Sequence, residues 1–449
     1  MRAIGVVLSI LTVPGLLLAD DIAVTIYNGN LGVVSETRTL TFQQGIQRLA
    51  FTDVPTQIDA SSVRFDVVGS GRNVTILEQN YAYDLVSPEQ LYAKYVDADI
   101  ELIDKDGRLY SGTLLAAGGG AVTLREKSGR VKIVLMGNVT EVNFPSLPEG
   151  LITRPTLFWL YSSNFGGNLD CRVSYQTTGM TWTAEYVGVL SSDEKSLGVS
   201  GWSSINNTCG KTYTDATLKL VAGDIHRATR EMPPRFMKGL AMAEEAAGAG
   251  FEEKAFFEYH LYTLPRKATL ANNEIKQISL FEPAQTAVDK IFVYKPERSQ
   301  KQVEVALKFR NSTQAGLGLP LPAGRVRLFK ADDDGFLILL GEDRIEHTAK
   351  DEELTLQVGY AFDIAAEERL MNQTQVSQQV QDLDYEIELR NHKTEAVTIR
   401  VEKKLYGFWE ILQSSYAYTK KDASTVVFEI PVGSGETFVL KYRVRFTHR

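Results

Sequence analysis

Apolar residues in this chain recur at every second position, in short runs broken by turn signals, and that rhythm restricts it to β structure. Ile22, Val24 and Ile26 begin the pattern. Val63, Phe65 and Val67 continue it, as do Val303, Val305, Leu307 and Phe309. Three more sets follow late in the chain: Val397, Ile399 and Val401; Val426, Phe428 and Ile430; Phe438, Leu440, Tyr442 and Val444. Successive side chains of a strand point to opposite faces, so a period of two marks a strand with one buried face. Tyr27-Asn-Gly-Asn30, Asp104-Lys-Asp-Gly107 and Asn391-His-Lys-Thr394 lie between such runs and read as turns. The expected fold class is all-β and multi-domain, with β-sandwich-like domains and a small inserted SH3/Sm-like barrel.

The 449 residues suffice for about three domains. Residues 20–92 read as an N-terminal β unit ending in a short helix. Ser87 is a good N-cap there, Pro88 suits the first helical position, Gln90 completes a capping box, and Leu91 and Tyr95 share a face. Residues 93–147 hold five short strands among tight turns, the density of a small barrel. Residues 148–230 read as the first part of a sandwich region, and 231–254, rich in Ala, Gly, Glu and Met, as a flexible linker. Residues 255–449 continue the sandwich region and end in a C-terminal β-sandwich.

The first residues bear on location. Arg2 precedes an apolar run from Ile4 to Leu18, and Ala19 offers a small residue at a cleavage point before Asp20. That order reads as a signal peptide, residues 1–19, and predicts a bacterial periplasmic or secreted protein after its removal. The run is shorter than an ordinary membrane span and no later stretch is longer, so no transmembrane segment is expected in the mature chain. A net charge of −8 without a basic stripe argues against nucleic acid as a partner.

Candidate chemistry is sparse. Ser192-Asp-Glu-Lys195 has the S-x-x-K spacing of an acyl-serine site but lacks companion motifs, and reads as a polar hairpin tip. Asp332-Asp-Asp334-Gly335 places carboxylates as a calcium loop does, yet lacks the remaining ligands; Asp-Gly between apolar runs reads as a turn. His226, His260, His347, His392 and His448 are scattered without metal-ligand spacing. Trp159, Trp182, Trp202 and Trp409 could build a carbohydrate platform, but aromatic residues alternating in strands read as core. Cys171 and Cys209 form an even pair in an oxidising compartment, which leaves a disulfide and two independent thiols both open. No catalytic, cofactor-binding or metal-binding residue is assigned, and no cofactor is expected.

Eight ordered motifs resemble the uncharacterised DUF4139 family. They are Arg154-Pro-Thr-Leu-Phe-Trp159, Trp182-Thr-Ala-Glu-Tyr186, Leu218-Lys-Leu-Val-Ala-Gly-Asp224, Glu258-Tyr-His-Leu-Tyr262, Pro320-Leu-Pro-Ala-Gly-Arg325, Gly341-Glu-Asp343, Ala361-Phe-Asp363 and Leu389-Arg-Asn-His-Lys393. The resemblance spans roughly Pro145 to Arg449. The family is similar to the C-terminal part of mucoidy-inhibitor A proteins, which carry a coiled coil upstream; here the small barrel stands in that place. The resemblance implies a β-rich exported protein and transfers no catalytic residue. The expected function is that of an uncharacterised cell-envelope protein, a non-enzymatic module that binds or scaffolds a protein or envelope polysaccharide. A hydrolase with a site assembled from distant His, Asp and Glu residues is one alternative, and a structural oligomer of the envelope is another.

Overall fold

The computed structural model describes residues 21–69, 74–83, 87–146, 152–223, 252–256 and 259–447. The protein is all-β and multi-domain: among the described residues there is one α-helix, Pro88–Lys94, beside some thirty strands. No helix among them is long and apolar enough to cross a membrane. The segment read as a signal peptide, 1–19, and linker residues 231–251 lie outside the described residues. Linker residues 252–254 belong to a strand, Glu252–Phe256. The chain forms two compact units, the first from 1–181, 206–219 and 266–275, the second from 182–205, 220–265 and 276–449.

In the first unit an antiparallel array runs Asp21–Tyr27, Leu31–Phe42, Gly167–Thr177, Ile58–Val67. Beside it, Thr156–Ser163 is flanked by Gly45–Thr52 and Val74–Ala82. Alternation on Thr156–Ser163 buries Leu157, Trp159 and Tyr161. Trp159 stacks on Phe51 with ring centroids 5.2 Å apart, and Tyr161 meets Phe42 edge-on at 5.1 Å. Each such ring contributes roughly 2–3 kcal/mol through the apolar surface it removes from water.

The small domain within this unit is a five-stranded meander in the order Val139–Asn143, Asp99–Asp104, Leu109–Gly118, Ala121–Arg125, Val131–Leu135. The five short strands expected here are present; among the described residues no ladder joins the two outer strands into a closed barrel. Its helix starts as the sequence dictates, with the Ser87 hydroxyl accepting from the Gln90 amide at 3.2 Å. Tyr95, from the end of that helix, packs on Ile100, Leu102, Leu114, Val122, Leu124 and Val134. The outer strand Val131–Leu135 buries Val134 and turns Val131, Ile133 and Leu135 to solvent.

The second unit holds a five-stranded sheet in the order Glu274–Ala287, Ser196–Asn207, Met180–Leu190, Gly324–Ala331, Leu337–Ile345. A nine-stranded sheet accompanies it, running Phe408–Ser414, Thr437–Thr447, Val380–Asn391, Glu353–Ser377, Gln302–Arg310, Asp289–Tyr294, Val397–Lys404, Thr425–Val432, Thr419–Asp422. Ile387 and Leu389 from one half share a core with Ile399, Val426, Phe428 and Ile430 from the other, so the large sheet wraps a common interior in the manner of a sandwich. Asn391 anchors the turn after its strand by donating to the carbonyls of Glu395, Val432 and Gly433. Leu354, Leu356 and Phe309 of the large sheet face Tyr186, Leu197 and Val326 of the small one, with an apolar void of about 20 Å³ between them.

Candidate protein-binding surface

The residues singled out by sequence fall mostly into structural roles. Cys171 and Cys209 are both buried and unbonded. The Cys171 thiol points to the Leu169 carbonyl and the Cys209 thiol to that of Lys211, so the disulfide considered for them is absent from the structure. Burial, with Asp170 nearby, pushes the Cys171 thiol up to about 12. Ser192–Lys195 is a hairpin tip whose Glu194 accepts from Lys330 at 2.6 Å and also from Lys290. Asp104 and Asp332 cap their turns: each accepts backbone amides two and four residues on. Among the described residues no group of His, Cys, Asp and Glu has the makings of a metal site. His347 accepts the Ala323 amide at 3.1 Å; His226 and His448 lie outside the described residues. Trp159 and Trp182 are buried and donate to Gln79 and to the Val221 carbonyl, so they form no sugar platform.

Sequence reading missed a buried ionic group in the first unit. Glu36 and Arg38 sit two apart on Leu31–Phe42, in phase with Val34, Leu40 and Phe42, and so face the core. Lys211 approaches from a later segment and places Nζ 3.2 Å from both Glu36 oxygens. Arg38 donates from Nη2 to Glu36 at 2.8 Å and from Nη1 to the Thr52 carbonyl at 2.8 Å, while its guanidinium lies over the Phe51 ring. Tyr175 donates to Glu36 at 3.0 Å, and its oxygen is 3.4 Å from that of Tyr213. Burial raises the Glu36 pKa, but Lys211, Arg38 and these hydrogen bonds outweigh it and hold the carboxyl below its ordinary value. Burial drives both tyrosines well above theirs. Glu36 and Tyr213 have no exposed surface, and each charge here has a partner, so the group ties strands together rather than meeting a substrate.

The exposed feature of consequence lies in the second unit. After the Asp332–Gly335 turn, Phe336, Leu337, Ile338 and Leu339 are 71%, 55%, 51% and 51% exposed. They open the Leu337–Ile345 strand, which ends the five-stranded sheet. Four consecutive large apolar residues on a sheet edge are what soluble proteins ordinarily avoid. The Glu353–Ser377 strand, which meets this strand at Gly341 and Asp343, carries exposed aromatic residues of its own. Its pairing with Gln302–Arg310 jumps from Gln302↔Ala365 to Glu304↔Tyr360, and the extra residues bulge outward. Phe362, on that bulge, is 100% exposed and Tyr360 49%. Bulges re-aim side chains in this way beside functional sites.

The patch stands on a fixed base. Asp343 accepts the Gln357 amide at 2.7 Å, and the Asp363 carbonyl accepts the His392 amide at 2.8 Å. Gly341 lies against Val358: a β-carbon on it would come 2.0 Å from the Val358 carbonyl oxygen, so only glycine permits the approach. On the inner neighbour, Arg325 and Arg327 both bond Glu185, and Arg327 also bonds Glu342. These ties bind the strand from Gly341 onward to its neighbours, while Phe336 to Leu339 before it stay exposed. Sequence signalled it as an unbroken apolar run, Phe336 to Leu340, between acidic residues, where alternation would otherwise be expected.

No family model and no curated protein matches this chain.

Proposed function

We propose that this chain is a non-enzymatic binding module of the bacterial cell envelope, exported after loss of residues 1–19, and that it engages a protein through the Phe336–Leu339 edge and Phe362. The observation that carries the reading is the run of exposed apolar residues on a terminal strand, held on a clamped frame. An edge strand offers unpaired backbone groups as well as apolar surface, the two things a protein segment can use together. Leu337, Ile338 and Leu339, at the centre of the edge, carry no hydroxyl or amide for a polysaccharide to bond, which favours protein over surface polymer. Three of the motifs that carry the DUF4139 resemblance, Gly341-Glu-Asp343, Ala361-Phe-Asp363 and Leu389-Arg-Asn-His-Lys393, lie at the ties and the bulge of this region. The hydrolase alternative lacks a reachable constellation in the Glu36 group, whose side chains are buried.

The test is in-cell photocrosslinking with a benzophenone amino acid at Ile338, with exposed Lys127 of the first unit as the control. A discrete protein adduct at 338 and none at 127 supports the reading. Equal labelling at both, or none at 338, removes it.

A further inference from the structure

We infer that the partner adds an extended segment as a further strand to the Leu337–Ile345 edge, and that this segment carries apolar residues flanked by lysine or arginine. The inference rests on the proposed function and names the chemistry of its partner. Order within the sheet supplies the first half: Leu337–Ile345 pairs with Gly324–Ala331 on one side and ends the sheet on the other. In an antiparallel ladder alternate residues bond the inner neighbour, so the remainder turn their amides and carbonyls outward.

Charge supplies the second half. Asp332, Asp333 and Asp334 stand exposed at one end of the apolar run, and Glu342, Asp343 and Glu346 follow at the other. Asp333 and Asp334 have no ion pair among the described residues. The nearby cations are engaged within the sheet: Lys330 bonds Glu194 at 2.6 Å, and Arg327 bonds Glu185 at 2.9 Å and Glu342 at 3.0 Å. Arg344 is the one basic residue on the exposed strand itself. The edge therefore presents an apolar centre between an acidic turn, where Asp333 and Asp334 are unpaired among the described residues, and a second acidic stretch, Glu342 to Glu346, of which Glu342 is already held by Arg327. A second copy of this chain does not fit. Antiparallel self-pairing centred on Ile338 sets Asp334 opposite Glu342 and Asp333 opposite Asp343, and like charges directly opposed destabilise a sheet. A segment with basic ends meets attraction at both.

The test uses the full mature chain and three fluorescent peptides read by anisotropy. One alternates Thr and Val with two lysines at each end, one replaces those lysines by glutamate, and one keeps the lysines but has two central prolines. The lysine peptide is expected to bind about tenfold tighter than the glutamate peptide at low salt, with the difference shrinking as screening increases. The proline peptide is expected not to bind, because proline cannot complete a ladder. The double variant Asp333→Lys, Asp334→Lys should reverse the preference. Equal binding of the lysine and glutamate peptides, abolished by Ile338→Asp, overturns the charge inference and leaves the docking surface standing. Binding of the proline peptide overturns strand addition. Failure of all three beside a discrete Ile338 crosslink overturns the partner chemistry alone; failure of both experiments overturns the proposed function as well.

Discussion

Lys211 holds its ammonium nitrogen 3.2 Å from each carboxylate oxygen of Glu36, across 175 residues of sequence. The contact ties the Leu31–Phe42 strand to a segment that rejoins the first unit much later in the chain. Glu36→Gln would leave Lys211 and Arg38 buried with too little negative charge. The expected loss is about 3–5 kcal/mol in urea unfolding. Adding Lys211→Met to that variant should recover at least about 1 kcal/mol, because the uncompensated cation is gone. A loss under about 1 kcal/mol for Glu36→Gln would show that the group does not hold the unit together.

The same carboxylate sets an acid limit. Its pKa lies below the ordinary glutamate value because Lys211, Arg38 and Tyr175 outweigh burial. The folded state therefore binds this proton less readily than the unfolded chain does. Its contribution is complete above the unfolded value of about 4.3 and disappears as pH falls through the folded value. Urea midpoints measured downward from pH 6 should fall most steeply below about pH 4.5, and Glu36→Gln should flatten that slope. An unchanged slope in the variant would assign acid sensitivity to other carboxylates.

The all-β class was legible because period-two alternation needs no tertiary information. The helix at Pro88–Lys94 was legible through Ser87 and Gln90, and the turns at Asp104 and Asp332 through Asp-Gly. Glu36 and Arg38 escaped notice although their phase with Val34 and Leu40 places them inward, since their partner Lys211 is remote in sequence. The Phe362 bulge was not legible at all: it arises from how Glu353–Ser377 registers against Gln302–Arg310, and register is set by the whole sheet. Burial of Cys171 followed from its alternation with Leu169 and Val173, whereas its distance from bonding with Cys209 depended on tertiary placement.

The thiols give a direct chemical check. Both are buried, and burial raises the pKa of each, Cys171 to about 12. The thiolate is the reactive species, so a disulfide-exchange reagent should leave the native protein untouched and titrate both cysteines in denaturant. Reduction should leave the intact mass unchanged. A mass gain of about 2 Da on reduction would restore the disulfide considered for this pair.

Gly341 and Phe362 separate the frame of the binding surface from its contact. A methyl at Gly341 would meet the Val358 carbonyl oxygen at 2.0 Å, and backbone cannot yield as a flexible side chain would. Gly341→Ala should cost about 1–3 kcal/mol by forcing the hairpin away from the Glu353–Ser377 strand. Phe362 touches solvent over its whole side chain, so Phe362→Ser should leave stability within about 0.5 kcal/mol. Crosslinking yield from Ile338 should nonetheless fall in both variants, in one because the edge has moved and in the other because an apolar anchor is lost. Thermal melts beside adduct yields test the pair. If Phe362→Ser keeps full yield, the bulged phenylalanine lies outside the contact and the surface is confined to Phe336–Leu339. If it lowers stability as Gly341→Ala does, Phe362 is part of the frame instead.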